Sequence, residues 1–368
     1  MSKAAELAAL IGSQTALSNR NLIINGAMQV AQRGTSSTGV TGGSYQTVDR
    51  FRTGYNGTPD QLELTHEQST DAPTGFSNSL KLTVTTAETT LDANERIRLQ
   101  QRIEGQNLQH LKYGTSDAEY LTLSFYVKSN VTGTYGVHFE NRDSSRSVCS
   151  SYTISAANTW EKKTVSIAGD TTGSFDNDNE RSLDVHWVLA ATTNYTSGTF
   201  ATSWESDTNA NNAPSGQADI TDTVNNYFQI TGVQLEVGST ATPFEHRSFG
   251  DELARCQRYY YKISNLFGVG YANNNQQGNV NLPFPVRMRT NPTAIDTTGT
   301  ASDYELRTAD ADRACTSVPT IASSNYDSTD LGYVVFTVTG GNLANNDACI
   351  ARGATGDTGA YIGFIAEL

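Results

Sequence analysis

The sequence predicts an all-β protein: a jelly-roll β-sandwich followed by a smaller C-terminal β-sandwich, with a short N-terminal helix. Only 17% of the 368 residues are charged and 31 are glycine, a composition typical of many short strands joined by polar turns. Alternation of apolar and polar residues in about nine segments indicates two antiparallel sheets packed face to face. Because the chain is too long for one typical core, we expect two domains plus a short terminal element. Their predicted bounds are 1–18 for the N-terminal helix, 19–247 for the jelly roll, 248–262 for a connecting helix and 263–368 for the C-terminal module.

Charge and hydropathy argue against two classes of partner. The net charge of -13 opposes a basic surface for nucleic-acid phosphates. No apolar run approaches the roughly eighteen residues that a membrane span needs. The first residues lack the charged n-region of a secretory signal, and Glu6 interrupts their short apolar run. We therefore expect a protein made in the cytoplasm, with no nucleic-acid partner and no membrane insertion.

The four cysteines lie far apart, with no CxxC pair and no zinc-type spacing. Buried free thiols are the expectation for Cys149, Cys256, Cys315 and Cys349. A Cys315–Cys349 bridge within the last domain is the alternative.

The sequence predicts an N-terminal helix over residues 2–11, which Ser2 can cap and which would place Leu7, Leu10 and Ile11 on one face. A helix of about ten residues is marginal alone in water. Its apolar stripe must therefore dock on its own body, on sister chains in a small bundle, or on a larger assembly.

The jelly roll begins with a predicted short strand over Leu22, Ile23 and Ile24, followed by an Asn25-Gly26 turn. Further predicted strands cover 62–67, 79–86, 96–104, 120–129, 134–141, 151–156, 160–169 and 182–190. The polar connector over 191–219 has no periodic pattern, which is typical of a functional or mobile loop.

The closing strand lies within residues 227–247. Its apolar positions alternate with one slip at Thr231-Gly232, which predicts a half-buried strand with a bulge. Pro243 ends the pairing because proline cannot donate to a ladder. A connecting helix follows, and the last module has predicted strands at 259–271, 278–288, 303–307, 332–339 and 359–367.

Several strings between residues 20 and 262 resemble bacteriophage tail-fibre and related virion appendage proteins, which carry a carbohydrate-binding-module-like jelly roll. The strings are NLIINGAMQVAQRG, YQTVDRF, SLKLTV, YLTLSFYVKS, NTWEKKTVSIAGD and, as the most specific, GVQLEVGSTATPFEHRSFGDELARCQRYYYK. LPFPVRMRTNPT and YIGFIAEL resemble C-terminal modules of the same proteins. The resemblance implies an adhesin or structural part of a phage particle, usually a homotrimer, with its N-terminal end anchored to the virion. Leu7, Leu10 and Ile11 would then serve virion attachment or oligomerisation.

The sequence contains no catalytic signature of the GxSxG, HExxH, Walker or GxGxxG type. We therefore expect no enzyme. Hydrolysis of a polysaccharide would need two carboxylates about 5–10 Å apart, and spacing along the chain nominates no such pair.

Sugar binding needs exposed aromatic faces beside planar polar side chains, and the 191–212 segment offers both. The candidate glycan-binding residues are Tyr195, Trp204, Asn194, Asn209, Asn141 and Arg142. The alternative is that these aromatic rings fold back and pin the loop.

Two groups of residues are weighed as metal ligands. His138 and His186 lie in strands, each on the face opposite its aromatic neighbour, and can be surface-facing, paired or ligands. Asp176, Asp178 and Glu180 stand at alternate positions, like the start of a calcium loop. The glycine and glutamate of an EF-hand are missing, so a solvated acidic turn is the alternative. Structural calcium is the one cofactor left open, because jelly-roll modules of this kind often hold one.

The sequence thus favours a non-enzymatic tail-fibre-like virion protein, assembled in the host cytoplasm, that binds host-surface polysaccharide during adsorption. A purely structural virion protein, such as a head fibre, decoration or adaptor protein, is the alternative. A polysaccharide-degrading spike is the weakest of the three.

Overall fold

The computed structural model describes residues 19–292, 294–322, 328–340, 343–354 and 359–368. The predicted N-terminal helix with Leu7, Leu10 and Ile11 lies outside the described residues. The chain divides into two compact units, the first ending at Phe249 and the second running from Gly250 to Glu367. No helix in the described part of the chain is long and apolar enough to cross a membrane.

The first unit is a sandwich of two six-stranded antiparallel sheets. Its strands are β1 (Ser36–Val40), β2 (Arg52–Asn56), β3 (Glu63–Ser69), β4 (Ser79–Thr86), β5 (Arg96–Glu104), β6 (Leu121–Ser129), β7 (Gly133–Asn141), β8 (Arg146–Ile154), β9 (Glu161–Ile167), β10 (Arg181–Ala191), β11 (Glu205–Ser206) and β12 (Tyr227–Val237). Sheet A has the order β1-β3-β4-β12-β6-β9, and sheet B has the order β11-β8-β7-β10-β5-β2. Consecutive strands cross repeatedly between the sheets, so the predicted jelly-roll class is confirmed.

Apolar residues at every second position fill the space between sheets A and B. Trp187 of β10 is fully buried there. Its ring meets Phe125 of β6 edge to face at 5.9 Å and Phe51 at 6.2 Å. Burial of each such side chain contributes about 1.5–3 kcal/mol, and the shared core fixes which face of each strand points outward.

The predicted strand over Leu22–Ile24 is wrong, although Ile23 is fully buried. The amide of Ile23 donates to Asn21 Oδ1, and that of Ile24 donates to Gln101 Oε1. Polar side chains therefore satisfy the backbone where a neighbouring strand would otherwise do so.

The closing strand, β12, contains the predicted bulge. Its register against β6 shifts between Thr231 and Gln234, and Gly232 takes φ 61°. The strand is buried on both faces, however, and not half-buried as predicted. Residues 241–247 fold back over it: Glu245 N donates to Gln234 Oε1 at 2.7 Å, and Thr242 N donates to Glu236 Oε1 at 2.8 Å.

The connector after β10 has more structure than its sequence suggests. It contains the short helix α1 (Thr193–Thr196), strand β11 and a 3-10 turn (Asn209–Asn211). Strand β11 pairs with β8, and Gln217 Nε2 donates to Val188 O at 3.0 Å. The connector thus lies across the outer face of sheet B, the face turned away from sheet A.

Helix α2 (Phe249–Gln257) starts at the last residue of the first unit, and the rest of the helix belongs to the second unit, which continues as two antiparallel sheets. Its strands are β13 (Tyr260–Ser264), β14 (Leu266–Ala272), β15 (Gln277–Pro283), β16 (Ala294–Thr297), β17 (Tyr304–Arg307), β18 (Asp312–Ala314), β19 (Thr320–Ile321), β20 (Leu331–Thr337), β21 (Ala348–Gly353) and β22 (Tyr361–Ile365). The small sheet has the order β13-β22-β16, and the large sheet has the order β18-β17-β21-β14-β15-β20-β19. A smaller β-sandwich therefore follows the first, as predicted.

The predicted connecting helix over 248–262 is too long. Helix α2 ends at Gln257, and β13 starts at Tyr260 and pairs with β22. Tyr261 stacks on Phe364 of β22, with 6.5 Å between the ring centroids. The helix gives way to a strand here because consecutive tyrosines fit a pleated edge strand better than a helix. All four cysteines are buried and free, so the Cys315–Cys349 bridge is not formed.

Candidate functional site

An open pocket of about 540 Å³ lies on the outer face of sheet A. We call it the aromatic pocket, after the rings of Phe76, Tyr126 and Phe244 and the imidazole of His246 that line it. Tyr126 points outward because its neighbours in β6, Phe125 and Val127, are in the core. These rings therefore come from three places in the chain: strand β6, the loop before β4 and the segment that follows β12.

Gly232 makes room for the rings. A Cβ at this position would lie 2.7 Å from Phe76 Cζ and 3.0 Å from Tyr126 Cδ2. Its φ of 61° is also a conformation that side-chain-bearing residues rarely adopt. The bulge in β12 thus places a glycine beneath the rings of Phe76 and Tyr126, where no larger residue fits.

The rings hold one another in edge-to-face and tilted arrangements. Phe76 lies 5.0 Å from Phe244, 5.5 Å from Tyr126 and 5.4 Å from His246, measured between ring centroids. Such pairs contribute about 0.5–1.5 kcal/mol beyond the area they bury. The rings are half-buried and His246 is exposed, so aromatic surface remains open to a ligand.

Polar groups complete the wall of the aromatic pocket. Ser124 and Thr242 supply hydroxyls, and Lys162 supplies an ammonium group. No carboxylate is among the described residues that line it. The pocket can stack a flat apolar face and donate hydrogen bonds, but it lacks the acid and base pair of glycoside hydrolysis.

A second, smaller pocket of about 270 Å³ lies beside Trp204. Arg146 and Asp170 line it and form a two-point ion pair, at 2.7 Å and 3.2 Å. Trp204 Nε1 donates to Ala168 O at 2.8 Å, and its ring meets Tyr113 edge to face at 5.6 Å. Trp204 is therefore half-buried at the rim of a polar pocket, a position that keeps the predicted ligand role open.

Tyr195 does not offer the open aromatic face that its predicted role requires. Its ring is buried against Val188 and Ala213. The guanidinium of Arg96 lies 4.5 Å from the ring centroid. The side chain packs the connector against sheet B. This agrees with the alternative interpretation, in which the aromatic rings of this segment fold back and hold the loop.

The four other predicted glycan ligands do not line the Trp204 pocket. Asn141 is fully buried, and its Nδ2 donates to Ser174 O at 3.1 Å. Asn194 and Asn209 are exposed at separate points of the connector. Arg142 is exposed and pairs with Glu140. Ligand binding by Asn194, Asn209 and Arg142 stays a prediction.

The three predicted calcium ligands, Asp176, Asp178 and Glu180, are exposed and do not converge. Asp178 Oδ1 instead accepts a hydrogen bond from the backbone amide of Glu180 at 3.0 Å, as in a solvated acidic turn. Three candidate ligand atoms do come together elsewhere in the described chain, at His138, Glu140 and His186. Both histidines are buried and paired, so the surface-facing alternative for them is wrong.

Sequence reasoning missed the aromatic pocket. Phe76, Tyr126, Phe244 and His246 come from three distant segments, and no local pattern joins them. One signal was available: Phe244 and His246 follow Pro243 within the string that most resembles phage appendage proteins.

No known protein family matches the chain, and no curated protein matches it. Solved structures that are similar to it include the following three. The enzymatically active domain of tailspike protein 4 from bacteriophage CBA120 is 14% identical, with a TM-score of 0.29, and the match covers 59% of this chain and 21% of that one. A putative sugar binding protein from Bacteroides thetaiotaomicron is 16% identical, with a TM-score of 0.33, covering 59% and 99%. The family 11 carbohydrate-binding module of a Clostridium thermocellum cellulase is 10% identical, with a TM-score of 0.29, covering 57% and 99%. At these scores the likenesses assign neither a function nor a family.

Proposed function

We propose that this protein is a phage tail-fibre-like virion protein whose jelly roll binds host-surface glycan during adsorption. The observation that carries the glycan role is the aromatic pocket. Half-buried rings stack on the C–H faces of sugars, while hydroxyl and ammonium groups pair with sugar hydroxyls. The pocket offers both within about 540 Å³, a size that falls in the usual range for small-ligand sites.

The virion role is supported by the sequence strings that resemble phage appendage proteins. The most specific of these strings supplies Gly232, Phe244 and His246 to the aromatic pocket. The segment that carries the resemblance therefore also builds the site. In this proposal the protein is non-enzymatic, is assembled in the host cytoplasm and attaches to other virion proteins through its N-terminal segment.

The proposed homotrimer is supported by an apolar patch on the large sheet of the second unit. Its exposed side chains are Leu266 at 62%, Val269 at 67%, Tyr271 at 40% and Ile350 at 37%. Val269 and Ile350 are direct cross-strand partners. Contiguous exposed apolar surface marks an interaction site in soluble proteins. In a homotrimer, three weak glycan sites would act together and raise avidity.

The glycan role is tested by applying purified full-length protein to an array of bacterial surface polysaccharides and lipopolysaccharides. Saturable binding to a defined glycan, lost in Tyr126→Ala, supports the proposal. Tyr120→Ala is the matched control, because Tyr120 is 48% exposed and lies outside the pocket. The trimer is tested separately by light scattering: Val269→Lys should give monomers.

A structural virion protein without receptor binding is the second candidate. It is favoured by the contacts that Phe76 makes with three other rings, since rings that pack together also stabilise a fold without any ligand. Folded, oligomeric protein that binds nothing on the array would favour this alternative.

A further inference from the structure

A buried polar cluster lies on the outer face of sheet B, apart from both pockets. His138 of β7 stands directly opposite His186 of β10, and Glu140 stands opposite Asp184 in the same ladder. The two imidazole rings meet edge to face at 4.9 Å. His138, Glu140 and His186 each place one ligand atom within 4.8 Å of the others.

Three of the four ring nitrogens in this cluster are buried without a hydrogen-bond partner among the described residues, and the fourth, His186 Nε2, pairs with Asp184 Oδ2 at 3.1 Å. His138 is fully buried, and neither of its nitrogens has a hydrogen-bond partner among the described residues. The carboxylate of Asp207 lies 3.4 Å from its Nε2. His186 Nδ1 is likewise buried without a partner. Buried polar atoms left in this state are costly and call for an explanation.

The spacing of the cluster suits one metal ion. Zn²⁺ binds imidazole nitrogen and carboxylate oxygen at about 2.0–2.2 Å, so two ligands of one tetrahedral ion lie about 3.4 Å apart, and the three ligand atoms, now within 4.8 Å of one another, would draw closer on binding. His186 Nε2 and Glu140 Oε2 are 3.8 Å apart.

Charge around the cluster is mixed. Asp184 Oδ2 lies 3.1 Å from His186 Nε2, and Asp207 stands beside His138. These two carboxylates would add to the negative charge of Glu140. Buried Arg96 and half-buried Arg98 oppose them, and Arg142 contacts Glu140 Oε1, which leaves Glu140 Oε2 as the oxygen for a cation.

We propose that His138, Glu140 and His186 bind one divalent transition-metal ion, with Zn²⁺ as the best-matched ion, and so fasten β7 to β10 beneath the connector. Two histidines and one carboxylate form a donor set suited to Zn²⁺ and its neighbours in the first transition row, and unsuited to calcium, which prefers all-oxygen sites. The site would be structural, because the connector covers it.

The test uses full-length protein that has been dialysed against a chelator and then titrated with ZnCl₂ alone. We expect one Zn²⁺ per chain by elemental analysis and a higher Tm when the metal is bound. Co²⁺ in place of Zn²⁺ should give the visible absorption bands of a low-coordinate nitrogen and oxygen site. Glu140→Gln keeps the shape of the side chain and should weaken Zn²⁺ binding about tenfold or more. His110→Gln is the matched control, because His110 is exposed and lies outside the cluster.

His186→Gln serves as a second variant, provided that its circular dichroism matches that of the parent protein. Weakened binding in both cluster variants, with His110→Gln unchanged, supports the site. The proposal is overturned if the parent protein takes up no stoichiometric Zn²⁺, or if Glu140→Gln binds Zn²⁺ as tightly as the control does. Either result would leave the cluster as a metal-free polar pair.

Discussion

The outer faces of sheets A and B begin from the same alternation in sequence and end in opposite environments. On sheet A, the short segment 241–247 covers β12 and leaves rings open to solvent at its side. On sheet B, the connector over 191–219 closes over histidine, arginine and carboxylate side chains and buries them. Alternation therefore determines which side chains leave the core, whereas the covering segment determines whether they meet water.

The largest effect should come from removing a buried charge on sheet B. Asp184 is fully buried. Burial alone would raise the pKa of its carboxyl, but hydrogen bonds with Arg181 and His186 hold that pKa below its usual range. Asp184→Ala leaves those partners uncompensated and should lower the free energy of unfolding by about 3–5 kcal/mol, measured by urea denaturation.

An exposed ion pair provides the control. Glu119 is paired with Lys112 at 2.7 Å, with side chains 41% and 53% exposed, and Glu119→Ala should cost only about 0–1 kcal/mol. Equal losses in the two variants would contradict the assignment of a buried charge network to sheet B.

A histidine on the inner side of sheet A should make stability depend on pH. Burial lowers the pKa of His66 to about 4. The unfolded chain therefore binds more protons than the folded chain between pH 4 and 6.5, and stability falls as the pH drops through that window. His66→Leu removes the titrating imidazole. When the pH is lowered from 8 to 5, the free energy of unfolding of the variant should therefore fall by about 2 kcal/mol less than that of the parent protein. Parallel stability curves for parent and variant over this range would show that His66 does not titrate as proposed.

A smaller effect on stability, joined to a loss of binding, is expected at the bulge. Gly232→Ala places a methyl group against Phe76 and Tyr126 at a positive φ, which should cost about 1–2 kcal/mol of stability and distort the aromatic pocket. Gly238→Ala is the control, because Gly238 also has a positive φ but nothing lies within 4 Å of its added Cβ. Glycan binding should fall in Gly232→Ala only, and a fall of equal size in both variants would separate the bulge from the pocket.

Much of the first sandwich could be predicted because strand patterning is local. The bounds of β4 and β5 agree with the predicted 79–86 and 96–104, and the bulge in β12 was readable as a slip in alternation. Strands β1 and β2 were missed, since their Gly, Ser and Thr residues are typical of loops. Leu22–Ile24 was over-predicted, because nothing in the local pattern shows that asparagine and glutamine side chains replace a partner strand.

The candidate site was less predictable, because it depends on contacts between distant segments. Tyr195 and Tyr126 show the reason. Tyr195 lies in a polar connector and was expected to be open, yet Arg96 and the helix around it close it off. Tyr126 follows Phe125 in a strand and is not among the predicted ligands, yet Phe76 and Phe244 come from other parts of the chain to line the same pocket.

The most direct test of the glycan assignment uses the glycan that binds the parent protein most tightly on the array. Its affinity for three variants is measured by titration calorimetry. We expect Tyr126→Ala to weaken binding about tenfold or more, the loss of one stacking contact, while Trp204→Ala and the control Tyr120→Ala stay near the parent affinity. Loss of binding in Trp204→Ala with Tyr126→Ala unchanged would contradict this account and place the glycan in the pocket beside Trp204.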